Sequence, residues 1–81
     1  PHFLVRGVKD TGYSKIVKEH HLRVVVRQEN TSFTGIGFFM ADKYPLLQQE
    51  KGVDIVFSLD ENEWNGTTSL QLKLVDIREA S

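Results

Sequence analysis

Apolar and polar residues along this chain alternate mostly with a period of two, the signature of strands with one buried face. The clearest run is HLRVVVRQ, residues 21–28, which puts Leu22, Val24 and Val26 on one side and Arg23, Val25 and Arg27 on the other. An antiparallel strand packed on a core through one face has this pattern. HFLVRGV, residues 2–8, alternates more weakly and contains Gly7, which in a strand marks a bulge or bend. FTGIGFF, residues 33–39, predicts a third strand with Gly35 and Gly37 on one face, where the missing side chains leave room for something to approach. VDIVFSLD, residues 53–60, predicts a fourth with Val53, Ile55, Phe57 and Leu59 inward. In TSLQLKLVDI, residues 68–77, the alternation of Leu70, Leu72 and Leu74 gives way to Val75 and Ile77, a phase slip that a bulge near Leu74 explains.

The connections follow from turn chemistry. Asn65-Gly66 between two apolar segments specifies a type I′ hairpin, because both central positions need positive φ and Asn and Gly tolerate it best. That turn fixes a register in which Trp64 pairs with Thr67, Asp60 with Gln71, Leu59 with Leu72 and Phe57 with Leu74. Phe57, Leu59, Leu72 and Leu74 then share the apolar face, whereas Trp64 falls with Asn62, Asp60 and Ser58 on the other. Two readings of Trp64 stand side by side: packing under a neighbouring loop, or an aromatic platform for a flat ligand. Asp10 to His20 reads as a loop with a short extended piece at Ile16-Val17, and Glu29 to Ser32 as a turn. MADKYPLLQQEKG predicts a short helix near residues 43–50, with Pro45 in its first turn and Gly52 at its end. Three strands, one short helix and a closing hairpin form an all-β order whose open edges are removed by curling into a barrel. The predicted fold is a five-stranded OB-fold-like Greek-key barrel. Such barrels bind oligonucleotides or oligosaccharides across strands 2 and 3, between the loop joining strands 1 and 2 and the loop joining strands 4 and 5.

Length limits what else is present. Eighty-one residues make a single domain, residues 1–81, with room for one small core. There is no cysteine, so neither a disulfide framework nor a thiolate metal site exists, and the cytoplasm is the expected location. No apolar run reaches the ~20 residues of a membrane span, and no membrane partner is expected. The first residue is Pro1 rather than methionine, which suggests an excised piece of a larger protein. Two N-x-S/T triplets, at Asn30 and Asn65, matter only in a secretory protein. The net charge of −1 is unevenly spread: residues 1–28 hold six basic and two acidic side chains, the rest four basic and nine acidic. A basic face is the expectation, with two solvated faces and no partner as the alternative.

On the predicted barrel, the Arg23/Arg27 pair, the Tyr13-Lys15-Lys18 loop and Trp64 fall at the binding positions of the fold. With His21 and Lys73 they form the expected nucleic-acid contacts. The run VDIVFSLDENEWNGTTSLQLKLVDIR, together with HHLRVVV and GIGFF, resembles the OB domain of the RecJ family, bacterial exonucleases specific for single-stranded DNA. The matching positions are His21 and Leu22, Ile36 and Phe38, Asn62, Trp64 and Gly66, then Gln71, Leu72, Asp76, Ile77 and Arg78, within a similarity extending from about Gly7 to Arg78. The resemblance implies a single-stranded-DNA-binding module of a metal-dependent 5′ to 3′ exonuclease of DNA repair and recombination, partnered by the catalytic domains of the same parent chain. The divalent metal, Mn or Mg, belongs to those domains, and this chain is expected to hold no cofactor.

Catalytic readings fare poorly on this sequence. Glu19-His20-His21 superficially resembles the Asp-His-His motif of that family's catalytic domain, but it opens a strand, where adjacent side chains point to opposite faces and no third ligand is evident. No serine sits in an elbow or triad pattern. Asp60, Glu61 and Glu63 flank a turn and read as a solvated loop rather than an acid–base pair. Two other functions on the same scaffold remain open, a protein- or carbohydrate-interaction domain and an architectural domain packed on its parent enzyme.

Overall fold

The computed structural model describes the backbone of residues 1–81 and the side chains of all but Asn62 and Trp64. The strands are β1 (Phe3–Asp10), β2 (Lys15–Val17), β3 (His21–Gln28), β4 (Thr31–Gly37), β5 (Val53–Trp64) and β6 (Thr67–Glu79). A 3-10 turn, Ala41–Lys43, and a one-turn helix α1, Tyr44–Leu47, link β4 to β5. Pairing runs β1–β3–β4–β6–β5 and back to β1, so five strands close a ring, and β2 lies beside β3 beyond the end of β1. Every pairing is antiparallel except β4 with β6, which are parallel at Gly35↔Leu72 and Ile36↔Lys73. This is the OB-type barrel that the element order predicts.

The core is drawn from alternate positions of each strand: Val8, then Leu22, Val24 and Val26, then Val53, Ile55 and Phe57, then Leu74 and Ile77, with Leu47 of α1 among them. Burying each such side chain contributes about 1.5–3 kcal/mol, which is what holds so short a chain closed. Gly7, at φ +70°, sits where the β1–β5 register shifts between Val5 and Val8, the bulge expected there. The β5–β6 register is the one the Asn65-Gly66 turn dictates, down to Trp64↔Thr67, with φ of +49° and +77° at the two turn residues.

Three expectations need correction. Gly35 and Gly37 do share a face, but it is the core face, opposite Val24 and Leu22. What approaches them is the protein itself: a Cβ on Gly35 would lie 2.9 Å from Leu72 Cβ, and one on Gly37 2.8 Å from Met40 Sδ. Leu59 is not inward; it is 43% exposed and Leu70 is 66% exposed. β1 pairs with β5 only as far as Phe3↔Phe57, and β4 meets β6 only near Leu72, so beyond these points β5 and β6 pair with each other as a two-stranded ribbon. The bulge expected near Leu74 is present: the register steps from Val56↔Asp76 to Phe57↔Leu74, leaving Val75 unpaired and exposed, whereas Ile77 is fully buried. The turn after β3 is shorter than expected: Gln28 pairs with Thr31, so only Glu29 and Asn30 form it, Glu29 at φ +55°.

Candidate functional site

Residues 11–20 are less a loop than an interruption in one long strand edge. β1 pairs with the far half of β3, at Lys9↔Arg27 and Asp10↔Val26, and β2 resumes along the near half at Lys15↔Arg23, Ile16↔Leu22 and Val17↔His21. Between them a side chain replaces the ladder. The Val25 N–H donates to Ser14 Oγ at 2.8 Å, the Ser14 hydroxyl donates to Asp10, and the Thr11 N–H and hydroxyl both donate to the Val25 carbonyl. Ser14 is buried in this role, and its neighbour Tyr13 is left 75% exposed. The hairpin loop proper is Lys18 to His20, with Lys18 at φ +51° and Glu19 at φ +68°.

Directly opposed residues on neighbouring strands share a face. The pairings therefore lay Lys15, Arg23, Ile36 and Lys73 in one row across the outside of β2, β3, β4 and β6. The row spans roughly 15 Å at ~4.8 Å per strand. Four residues further along β3, Arg27 stands opposite Lys9 and Ser32, forming a second basic position about 13 Å from the first. Both Lys15–Arg23 and Lys9–Arg27 are thus like charges directly across a strand pair, an arrangement that destabilises a sheet. Among the described residues, no carboxylate lies within ion-pair distance of Lys9, Lys15, Lys18, Arg23, Arg27 or Lys73; the ion pairs are Lys43–Asp76, Lys51–Glu79 and Arg78–Asp76.

An aromatic cluster adjoins the basic row. The His21 ring lies 5.4 Å from Phe38 and 4.6 Å from Phe39, edge to face in both cases, and His20 stacks near Phe39 at 6.3 Å. The Phe39 N–H donates to His21 Nδ1 at 3.0 Å, which fixes the ring and leaves Nε2 carrying the proton when the imidazole is neutral. Lys73 Nζ sits 5.8 Å over the centre of the Phe38 ring. Among the described residues, no group of three or more His, Cys, Asp or Glu side chains is placed to hold a metal ion, and no helix is long and apolar enough to cross a membrane.

The structure thus brings Lys15, His21, Arg23 and Lys73 onto one patch, with Lys18 in the turn at its edge and Tyr13 exposed on the bulge alongside. It sets Arg27 apart with Lys9. The platform reading of Trp64 lies outside the described residues; the backbone of that residue is at the ribbon tip, six residues along β6 from the position of Lys73, or about 20 Å. Lys9 and Phe39 were not among the expected contacts, and Phe38 entered only as a residue of the resemblance. Two large aromatics ending a glycine-containing strand were the available signal.

The Asp76-Ile77-Arg78 motif has a local structural part. Asp76 accepts the Ile77 N–H at 2.9 Å and Arg78 Nε at 2.8 Å, and it faces Lys43 of the 3-10 turn at 3.8 Å. The hydrogen bond from Arg78 is the main reason its carboxyl titrates below the ordinary aspartate range, with partial burial opposing.

A closed five-stranded Greek-key barrel with this strand order belongs to the class of OB folds. Within that class the chain belongs to the RecJ OB domain family, whose model matches residues 1–76. No curated protein and no solved structure gives a significant match.

Proposed function

We propose that this OB module binds single-stranded DNA for a RecJ-like 5′ to 3′ exonuclease in DNA repair and recombination, holding the strand for catalytic domains of the same parent chain. One observation carries the reading: two cross-strand pairs of like-charged residues, Lys9–Arg27 and Lys15–Arg23, with no carboxylate within ion-pair distance among the described residues. Such pairs work against folding, and polyanionic phosphate is the partner that turns their repulsion into binding energy. Lys73 extends the row, and Tyr13, Lys18 and His21 border it. The divalent metal, Mn or Mg, and its aspartate and histidine ligands are assigned to the parent's catalytic domains, with the cytoplasm as the location.

The near-zero net charge predicts weak binding without sequence preference. On a single strand each phosphate contact adds about −0.7 to the slope of log affinity against log salt, so engagement of the five basic residues of the two positions gives at most about −3.5. Titration of a labelled single strand at several salt concentrations tests this. A slope steeper than about −1 supports the reading, and binding that ignores salt, or no binding at millimolar protein, overturns it. The exposed Leu59 and Leu70 of the ribbon favour an additional architectural contact with the parent enzyme.

A further inference from the structure

We infer that Phe38 and Phe39, held by His21, are a nucleobase-stacking subsite that receives an unpaired base next to the Lys15–Arg23–Lys73 row. The inference rests on the nucleic-acid reading above and adds to it the part of the ligand that is not phosphate.

The first observation is exposure without a structural return. Phe38 is 52% and Phe39 75% exposed, although both are large and apolar. Their ring neighbours are His20 and His21, neither of them part of the core.

The second is backbone strain. Phe39 has φ of +56°, in the left-handed region that bulky side chains rarely occupy and that glycine enters freely. A phenylalanine kept there, with most of its ring in water, fits a functional requirement better than a folding one.

The third is surroundings. Lys73 lies over the Phe38 ring, and Ile36, the residue facing Lys73 across the β4–β6 seam, lies two positions before Phe38, which begins the turn after β4. An aliphatic partner gains nothing from the Lys73 ammonium over the Phe38 ring, whereas a nucleotide presents a π-face and a phosphate within a few ångströms of each other. Bases stacked inside a duplex offer no free face, so the subsite selects single strands.

The test compares two ligands with the same phosphates, a short oligothymidylate and an abasic oligomer of equal length, against the parent chain, Phe38→Ala and Phe39→Gly. The parent should bind the thymidylate about 5- to 140-fold more tightly than the abasic strand, the range expected for stacking one base. Each variant should lose most of that ratio while keeping the parent's salt slope and its affinity for the abasic strand. Phe39→Gly should melt at or above the parent's temperature, because glycine relieves the strained φ. If Phe38→Ala unfolds, Phe38→Leu retains the apolar volume without the aromatic face and takes its place. Equal affinity of the parent for both ligands, with a normal salt slope, overturns the stacking subsite and leaves the phosphate track standing. A parent preference for thymidylate that survives in both variants overturns it as well. Failure of both ligands to bind overturns the nucleic-acid reading itself.

Discussion

The basic residues of this barrel live in two contrasting settings. Where the 3-10 turn and the residues after α1 meet the end of β6, Lys43, Lys51 and Arg78 each have a carboxylate at 2.8 to 3.8 Å. Across β2, β3, β4 and β6, Lys15, Arg23 and Lys73 have none within ion-pair distance among the described residues, and Lys15 is paired with another cation. The first set contributes modestly to folding, as exposed ion pairs do. The second opposes folding slightly and is held in place only because the barrel fixes the strands that carry it. Net charge and the excess of basic residues in the first third of the chain do not reveal this difference; cross-strand register does.

The largest effect should come from breaking the seam that sets β6, and so Lys73, beside β4. Gly35→Ala places a Cβ 2.9 Å from Leu72 Cβ and 3.0 Å from the Leu72 carbonyl oxygen, neither of which is the end of a flexible side chain. Overpacking of this kind costs about 1–3 kcal/mol, and in a domain of this size that lowers the melting temperature by roughly 4–8 °C per kcal/mol. Gly37→Ala meets the Met40 side chain instead, its Sδ at 2.8 Å and its Cβ at 3.2 Å, and because the thioether end can turn away it should cost less. Thermal melts of the two variants decide the matter: equal shifts would mean that the seam is not tight.

That contrast also shows what was legible in the sequence and what was not. Asn65-Gly66 permits essentially one turn type, so the β5–β6 pairing could be read residue by residue. Glu29-Asn30 does not, because glutamate at positive φ is a poor turn signal, and without that register the two glycines could not be assigned to the core side. Alternation shows which residues share a face but not whether anything covers that face. Hence Leu22, Val24 and Val26 were read correctly, and Leu59, on an equally regular strand that outruns the barrel, was not. The basic contacts on β3 were legible from parity alone, but their grouping with Lys73 required the parallel β4–β6 pairing, which joins segments far apart in sequence.

A smaller loss is expected at the interruption that carries Tyr13 and Lys15. Ser14→Ala removes the oxygen that receives the Val25 N–H and leaves that part-buried donor without it, at a cost of about 1–2 kcal/mol. Because β2 is only three residues long and the Asp10 contact is lost too, amide exchange should quicken first in residues 15–17 and at Val25. If exchange there keeps the parent's rate, the hydroxyl is not replacing a ladder bond.

Exchanging one cation from each setting sharpens the comparison directly. Arg23→Ala should flatten the salt dependence of single-strand binding by about 0.7 and leave the melting temperature equal or slightly higher, since a like-charge pair is removed. Arg78→Ala should leave the slope unchanged and lower stability by less than about 1 kcal/mol. The opposite pattern, with binding lost at Arg78 and stability lost at Arg23, would reverse the roles assigned to the two settings.

The smallest effect is the most specific. The hydrogen bond from Arg78 holds the Asp76 carboxyl below its ordinary value, helped by the Ile77 N–H and the charges of Arg78 and Lys43. A carboxyl whose pKa is lower in the folded than in the unfolded chain binds fewer protons when folded, so its ionised form favours the native state. Its contribution is complete above the unfolded value of about 3.9 and disappears as the pH falls through the lower folded value. Acidification from pH 7 toward 3 should therefore lower the melting temperature of the parent more than that of Asp76→Asn, whose own cost at neutral pH should stay below about 1 kcal/mol. Arg23→Ala should track the parent's acid profile, because among the described residues no carboxylate lies within ion-pair distance of Arg23. Were Arg23→Ala to lose acid sensitivity and Asp76→Asn to keep it, the acid that responds would lie on the basic face, and that face would not be free for phosphate.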